Sequence, residues 1–365
     1  MNKKLLGVEI CRGLSTYAVI LVHSGDETWG IPIDPIAIAF RSHFYFAVPF
    51  FLATAFYFMT AKVDIVYSEK FWRSRIERIL VPYTIWSIIF VISRVIVFSL
   101  TNKTDRLQQL LQDPISIIFF GGASYHLYFL TLLFAGTLLV LLLPILENLK
   151  TNKYVLIFLS IVSTCLYYAL ESSGNSFQLG ANIAFQNLLN SWQIDWSQFP
   201  LLRVISVEIA WTIKCLPYFF IGLILNRYDR LIKIPSERRL IIVVLSLLLF
   251  GANKLEYLLL PGILTEIFLA YILLIVSIYL SDYLNSNIIS ELAASIGACS
   301  FGIYLIHPFI MSVAKFFVAK VISPELTNSI SIASMLVLSL TCFFASWLAI
   351  YSIKNKPIAK YLLGN

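Results

Sequence analysis

Runs of about twenty apolar residues constrain this chain more than any other feature, because each is long enough to cross a bilayer as a helix. Ten such runs occur, at approximately 6–24, 43–61, 80–100, 126–146, 154–171, 207–225, 240–252, 261–280, 294–316 and 329–352. Lipid offers the backbone no hydrogen-bond partner, so spans of this kind are helical. The fold class is therefore all-α, a polytopic integral membrane protein with about ten transmembrane helices. The seventh run is short and is expected to extend to about Leu260 on a tilt. The apolar stretch 114–120 is too short to cross and reads as re-entrant or interfacial. Composition agrees: 59% of the 365 residues are hydrophobic and only 13% charged, with a mean hydropathy of +0.83. A soluble domain carries roughly 25% charge, so an ordinary soluble enzyme is excluded. Residues 1–365 read as a single transmembrane domain.

Ten spans place both termini on one side, and loop charges choose which. With the N-terminus in the cytoplasm, seventeen Lys and Arg fall in inner segments. Six fall outside: Arg41, Lys103, Arg106, Arg203, Lys254 and Lys320. This satisfies the positive-inside rule and leaves a short cytoplasmic tail at about 353–365. The net charge of +7 thus follows topology, and no nucleic-acid partner is expected. The longest outer connection, about 172–206, holds Trp192, Trp196, Asn182, Asn187 and Asn190. Its tryptophans read as interface anchors or as sugar-stacking platforms. Cys11, Cys165, Cys215, Cys299 and Cys342 lie in apolar segments without CxxC spacing. They read as small buried hydrophobes, neither disulfides nor metal ligands. Lys3 and Lys4 precede an apolar run, but Glu9 and Arg12 interrupt it and no small-residue cleavage site follows. That run reads as a retained helix. No internal repeat or matched pair of broken helices points to a secondary transporter.

The first span, EICRGLSTYAVILVH, carries ionisable residues where lipid-facing ones would be expected. Arg12 and His23 are three turns apart and differ by only about 20° around a helix axis. Glu9, Arg12, Thr16 and His23 therefore form a polar stripe roughly 20 Å long. Such groups are costly at membrane depth and should face the bundle interior or a wet cavity. The four histidines, His23, His43, His126 and His307, all fall at or in the outer halves of spans. Each alone is as readily structural, bonded to a neighbouring helix. Four at similar depth point to a shared polar chamber. Tyr304 and Ser300 lie one and two turns before His307 on its face. No HxxxH pair suggests a metal. After span two a loop reads KFWRSRIERILVPY, with Arg73, Arg75 and Arg78 clustered. Topology and anionic lipid account for these arginines; a phosphate-bearing cytoplasmic donor is the alternative.

Further segments complete a pattern. After R-X10-H come HFYFAVPFFLATAFYF, arginines before LVPYTIWS, YHLYFL at 125–130, LPYFFIGLIL at 216–225 and FGIYLIHPFI at 301–310. This set, in this order, resembles the acyltransferase-3 family of integral membrane acyltransferases, from about residue 5 to residue 355. The resemblance implies transfer of an acyl group, commonly acetyl, from cytoplasmic acyl-CoA to a hydroxyl of a surface or exported polysaccharide or glycolipid. Acyl-CoA, commonly acetyl-CoA, would be the co-substrate, with no metal. The partners would be the donor, the glycan acceptor and the bilayer of a cell membrane, in a bacterium the inner one. Arg12 and His23 match the family's proposed catalytic pair, and Arg73, Arg75 and Arg78 its donor-handling arginines.

On that reading His23 takes the proton of the acceptor hydroxyl as it attacks the thioester, or carries the group as an acyl-histidine. Arg12, about 16 Å of rise away, binds the donor's phosphate or pantetheine end with Glu9 holding it. Its structural alternative is an ion pair with Glu9 that only orders helices. His126, His307 and His43, with Tyr304 and Ser300, are candidates to position the acceptor or stabilise the oxyanion. Glu208, Lys214 and Glu266 are further intramembrane charges. One departure is Thr54-Ala55, where many members carry Ser-Gly after the paired phenylalanines. The rival readings are a glycan or lipid exporter or flippase without acyl transfer, and a degenerate member with an assembly role.

Overall fold

The computed structural model describes residues 5–25, 32–61, 66–175, 183–193, 199–228, 235–254, 262–284, 288–321 and 329–364. The helices are α1 (Leu6–Ser24), α2 (Pro35–Ser42), α3 (Ala47–Thr60), α4 (Glu69–Arg75), α5 (Val81–Leu100), α6 (Thr104–Gln112), α7 (Pro114–Phe119), α8 (Tyr128–Thr137) and α9 (Leu142–Asn148). They continue with α10 (Lys153–Ser172), α11 (Gln186–Ser191), α12 (Pro200–Arg227), α13 (Ser236–Lys254), α14 (Gly262–Tyr283), α15 (Ile288–Val321), α16 (Ile332–Ile353) and α17 (Ala359–Leu362). A π-helical turn, Ile76–Leu80, joins α4 to α5, and a 3-10 turn, Leu138–Leu141, joins α8 to α9. The fold is all-α, and nine helical stretches among the described residues are long and apolar enough to cross a membrane.

The remaining expected span, the seventh, corresponds to α13. It falls short of the other nine because Glu237, Arg238, Arg239 and Lys254 dilute its apolar run. It packs on α14, and Arg239 near its start pairs with Asp282 at the end of α14, so the two run antiparallel. The expected extension toward Leu260 lies outside the described residues.

Several boundaries differ from the hydropathy reading. The second stretch begins earlier, with α2 and a tight turn before α3. The arginine segment expected as a loop is helix, continuous from Glu69 to Leu100. The outer connection contains α11, and α12 begins at Pro200, inside the range expected to be loop. Trp192 follows α11 and is exposed, whereas Trp196 and Asn182 lie outside the described residues. Of the cysteines, Cys215, Cys299 and Cys342 are buried and Cys11 half-buried. Cys165 contradicts the expectation, because it sits on an exposed face of α10.

The chain divides into two compact units, Met1–Thr54 with Arg230–Pro357, and Ala55–Asp229 with Ile358–Asn365. In the first, α1 packs against α14, α15 and α16. Small residues make that approach close, the usual way helices associate without a hydrophobic drive between them. A Cβ on Gly297 would lie 2.1 Å from the Glu9 carbonyl oxygen, and one on Gly7 2.2 Å from that of Ser277. The Gly7 N–H donates to Ser281 Oγ at 2.9 Å. Toward the other end, Tyr17 Oη and Ser339 Oγ lie 3.2 Å apart, and Ser24 Oγ donates to Met335 O at 3.2 Å. In the second unit α12 packs on α10 and α8. Asn226 Nδ2 ties α12 to α3, donating to Tyr57 O at 2.6 Å and Thr60 Oγ1 at 2.8 Å.

Candidate functional site

The polar stripe on α1 holds two arrangements. Near its start Arg12 pairs with Glu9, Nη1 to Oε1 at 3.2 Å, one turn apart on the helix. Both side chains are mostly buried, at 32% and 22% exposure. Thr16 lies between the two ends but is fully buried, and its hydroxyl donates to Arg12 O at 2.9 Å. It therefore serves its own helix and presents no hydroxyl to a cavity.

At the far end of α1, His23 meets His307 of α15, ring centroids 6.2 Å apart and planes 27° from parallel. His307 is fully buried, and Tyr304 packs against its ring at 5.9 Å. The local sequence Tyr304-Leu305-Ile306-His307-Pro308 explains its orientation. Pro308 has no N–H, so the Tyr304 carbonyl loses its i+4 donor inside α15. His307 Nδ1 lies 2.6 Å from that same carbonyl. A carbonyl only accepts, so Nδ1 carries the proton and a neutral His307 holds its lone pair on Nε2. Ser300, two turns earlier, is buried, and its Oγ has no hydrogen-bond partner among the described residues.

His43 and His126 each have surroundings of their own. His43 is exposed at the C-terminal end of α2, its Nδ1 2.8 Å from Ala39 O. A ring turned back onto its own helix makes no part of a buried chamber. His126 belongs to the second unit. It is buried in the turn before α8, with Nδ1 3.1 Å from Ser124 Oγ and its ring edge-on to Phe90 and Tyr125. That turn is held by a residue missing from the sequence-based candidates, Tyr83. Its hydroxyl donates to Ile117 O or Ile118 O, at 2.7 and 3.0 Å, and accepts from Gly121 N at 3.1 Å. Asp113 caps α7 through Ser116 N and takes a two-pronged contact from Arg203, at 2.9 and 2.7 Å. The only sequence signal for Tyr83 was its place in LVPYTIWS.

The three arginines also differ among themselves. Arg73 is exposed and paired with Glu77 at 3.0 Å. Arg75 lies over the Phe71 ring at 5.1 Å, and its Nε is buried without a hydrogen-bond partner among the described residues. Arg78 sits in the π-helical turn and is exposed. Among the described residues neither Arg75 nor Arg78 has a carboxylate partner. Of the second-rank charges, Lys214 lies over the Tyr167 ring at 5.2 Å, and Glu208 and Glu266 are half-buried.

A protein-family model described as an acyltransferase domain, Acyl_transf_3, matches residues 5–351. No curated protein and no solved structure matches the chain.

Proposed function

The chain belongs to the acyltransferase-3 family and is a membrane acyltransferase; from that premise we propose that it moves an acyl group, commonly acetyl, from cytoplasmic acyl-CoA to a hydroxyl of a surface or exported glycan or glycolipid. The observation that carries this reading is the pairing of His23 with His307 at one end of α1, with Glu9 and Arg12 at the other.

Acyl transfer to a hydroxyl needs a base for the alcohol and a donor held in line. His23 takes the acceptor's proton as the hydroxyl oxygen bonds to the thioester carbonyl carbon. The tetrahedral intermediate then collapses, the carbon–sulfur bond breaks, and the proton passes to the departing CoA thiolate. His307 lies against the His23 ring. Its Nδ1 is committed to Tyr304 O, so in the neutral form it offers an acceptor, not a donor, at Nε2. This favours a part in holding the acceptor hydroxyl over a part in stabilising the oxyanion. Arg12, steadied by Glu9, suits the phosphate or pantetheine end of the donor. Arg75 and Arg78, lacking carboxylate partners among the described residues, suit the phosphates of acyl-CoA at the cytoplasmic side.

The test is acetyl transfer from labelled acetyl-CoA to endogenous glycan in membranes. His23→Ala at equal protein level should lose transfer by about a hundredfold or more, the range of a general base. Full transfer by His23→Ala removes His23 from the chemistry. An inactive parent whose deletion stops glycan export would instead favour a carrier.

A further inference from the structure

We infer that α17 is a clip that positions the Arg75–Arg78 pair for the phosphates of the acyl donor. The inference rests on the donor role proposed above for those arginines, and it concerns a segment outside the family-matched residues 5–351.

The geometry starts at Pro82. It lacks an N–H, so the Arg78 carbonyl has no i+4 donor, and a wider turn takes the place of regular α-helix there. The Val81 N–H reaches back five residues to Ile76 O. Such a turn leaves backbone that something must cover. The chain's last described residues do so within the same compact unit. Gly364 sits against this backbone at φ +65°, and a Cβ there would lie 2.7 Å from both Arg78 Cα and Arg78 O. Only glycine combines that close approach with that conformation without strain. One turn after Pro82, the Trp86 indole N–H donates to Leu362 O at 3.0 Å. Leu363 and Ala359 are buried, at 5% and 2% exposure. The segment is thus seated, while Tyr361 and Ile358 remain exposed.

The clip touches Arg78 through its backbone, and Arg78 itself remains exposed. Arg75, one turn earlier, lies along Phe71. Two guanidinium groups one turn apart repel each other, so their spacing needs an external hold until a polyanion bridges them. Donor phosphate and lipid headgroup phosphate share this chemistry, and a donor titration separates them.

The experiment measures acetyl transfer in membranes against acetyl-CoA concentration for the parent, Gly364→Ala, Trp86→Phe and Arg78→Ala. Both clip variants should raise the donor KM roughly tenfold, about the worth of one charge-assisted hydrogen bond. Transfer at saturating acetyl-CoA should return to within about twofold of the parent, a split that general loss of folding would not produce. Trp86→Phe keeps an aromatic ring at the site and removes the N–H donor, so it stands if Gly364→Ala fails to accumulate. Arg78→Ala with a raised donor KM, beside clip variants at the parent value, overturns the clip alone. An unchanged donor KM in Arg78→Ala overturns the donor reading and the clip together, and assigns the arginines to lipid headgroups.

Discussion

At the residue scale, the instructive side chains are those whose partners were invisible in the sequence. The helical spacing placed Glu9, Arg12, Thr16 and His23 on one face, and the Glu9–Arg12 contact follows from it, whereas the partner of His23 on α15 does not. The same spacing could not show that Thr16 spends its hydroxyl on Arg12 O, because a threonine either faces a cavity or bonds its preceding turn. Thr16→Val should therefore retain transfer near the parent level; a large loss would mean that the hydroxyl serves the substrate. Pro308 is the opposite case. It acts by withholding an N–H, so that His307 takes the Tyr304 carbonyl. In Pro308→Ala the restored N–H competes for that carbonyl. Transfer should fall about fivefold to tenfold at equal protein level, the worth of roughly one orienting hydrogen bond. Unchanged transfer would show that the orientation of His307 does not matter to the reaction.

At the element scale, hydropathy found the helices but not where they begin. Glu69, Lys70, Arg73 and Arg75 lower the average and read as a loop, yet they continue into the same helix as Val81–Leu100. A π-helical turn has little sequence signature beyond Pro82, and a short helix such as α11 lies below the length of a hydropathy window. His43 was grouped with the other histidines by depth alone; the turn between α2 and α3 leaves it exposed. Contacts between helices were least legible, because a glycine in a membrane span looks alike whether it faces lipid or a neighbour. Gly297 and Gly251 make this testable. A Cβ at Gly297 meets the α1 backbone, whereas nothing among the described residues lies within 4 Å of one at Gly251. Gly297→Ala should destabilise the purified protein by about 1–3 kcal/mol or more, as an overpacked contact does. Gly251→Ala should be neutral or raise the melting temperature slightly, since alanine is the better helix former. Equal effects at the two positions would contradict the packing of α1 on α15.

At the scale of the whole molecule, loop charge assigned sides that the contacts respect. Asp113 and Arg203, both expected outside, pair with each other, and Ile33 bridges Ile330 between two outer connections. Arg227 reaches Thr151 within segments expected inside, and Trp86, in the span expected at 80–100, reaches Leu362 in the tail expected inside. Each pairing puts its two segments on one side within its own compact unit, and the excess of inner Lys and Arg supplies the direction. A cysteine introduced at Arg106 should react with an impermeant thiol reagent added outside intact cells, and one at Arg73 only after permeabilisation. The reverse pattern would invert the topology and exchange the donor and acceptor ends of α1.

The central claim is that one helix carries two separate duties, donor binding near Arg12 and proton transfer at His23. The most direct measurement is the dependence of acetyl transfer on acetyl-CoA concentration in Arg12→Gln and His23→Gln, each in membranes at equal protein level. Arg12→Gln should raise the donor KM by roughly tenfold or more while much of the saturated rate survives, since binding common to ground and transition states is what it removes. His23→Gln should leave the donor KM near the parent value and cut the saturated rate by about a hundredfold. Equal losses of saturated rate in both variants, with donor KM unmoved in either, would contradict the division of the stripe.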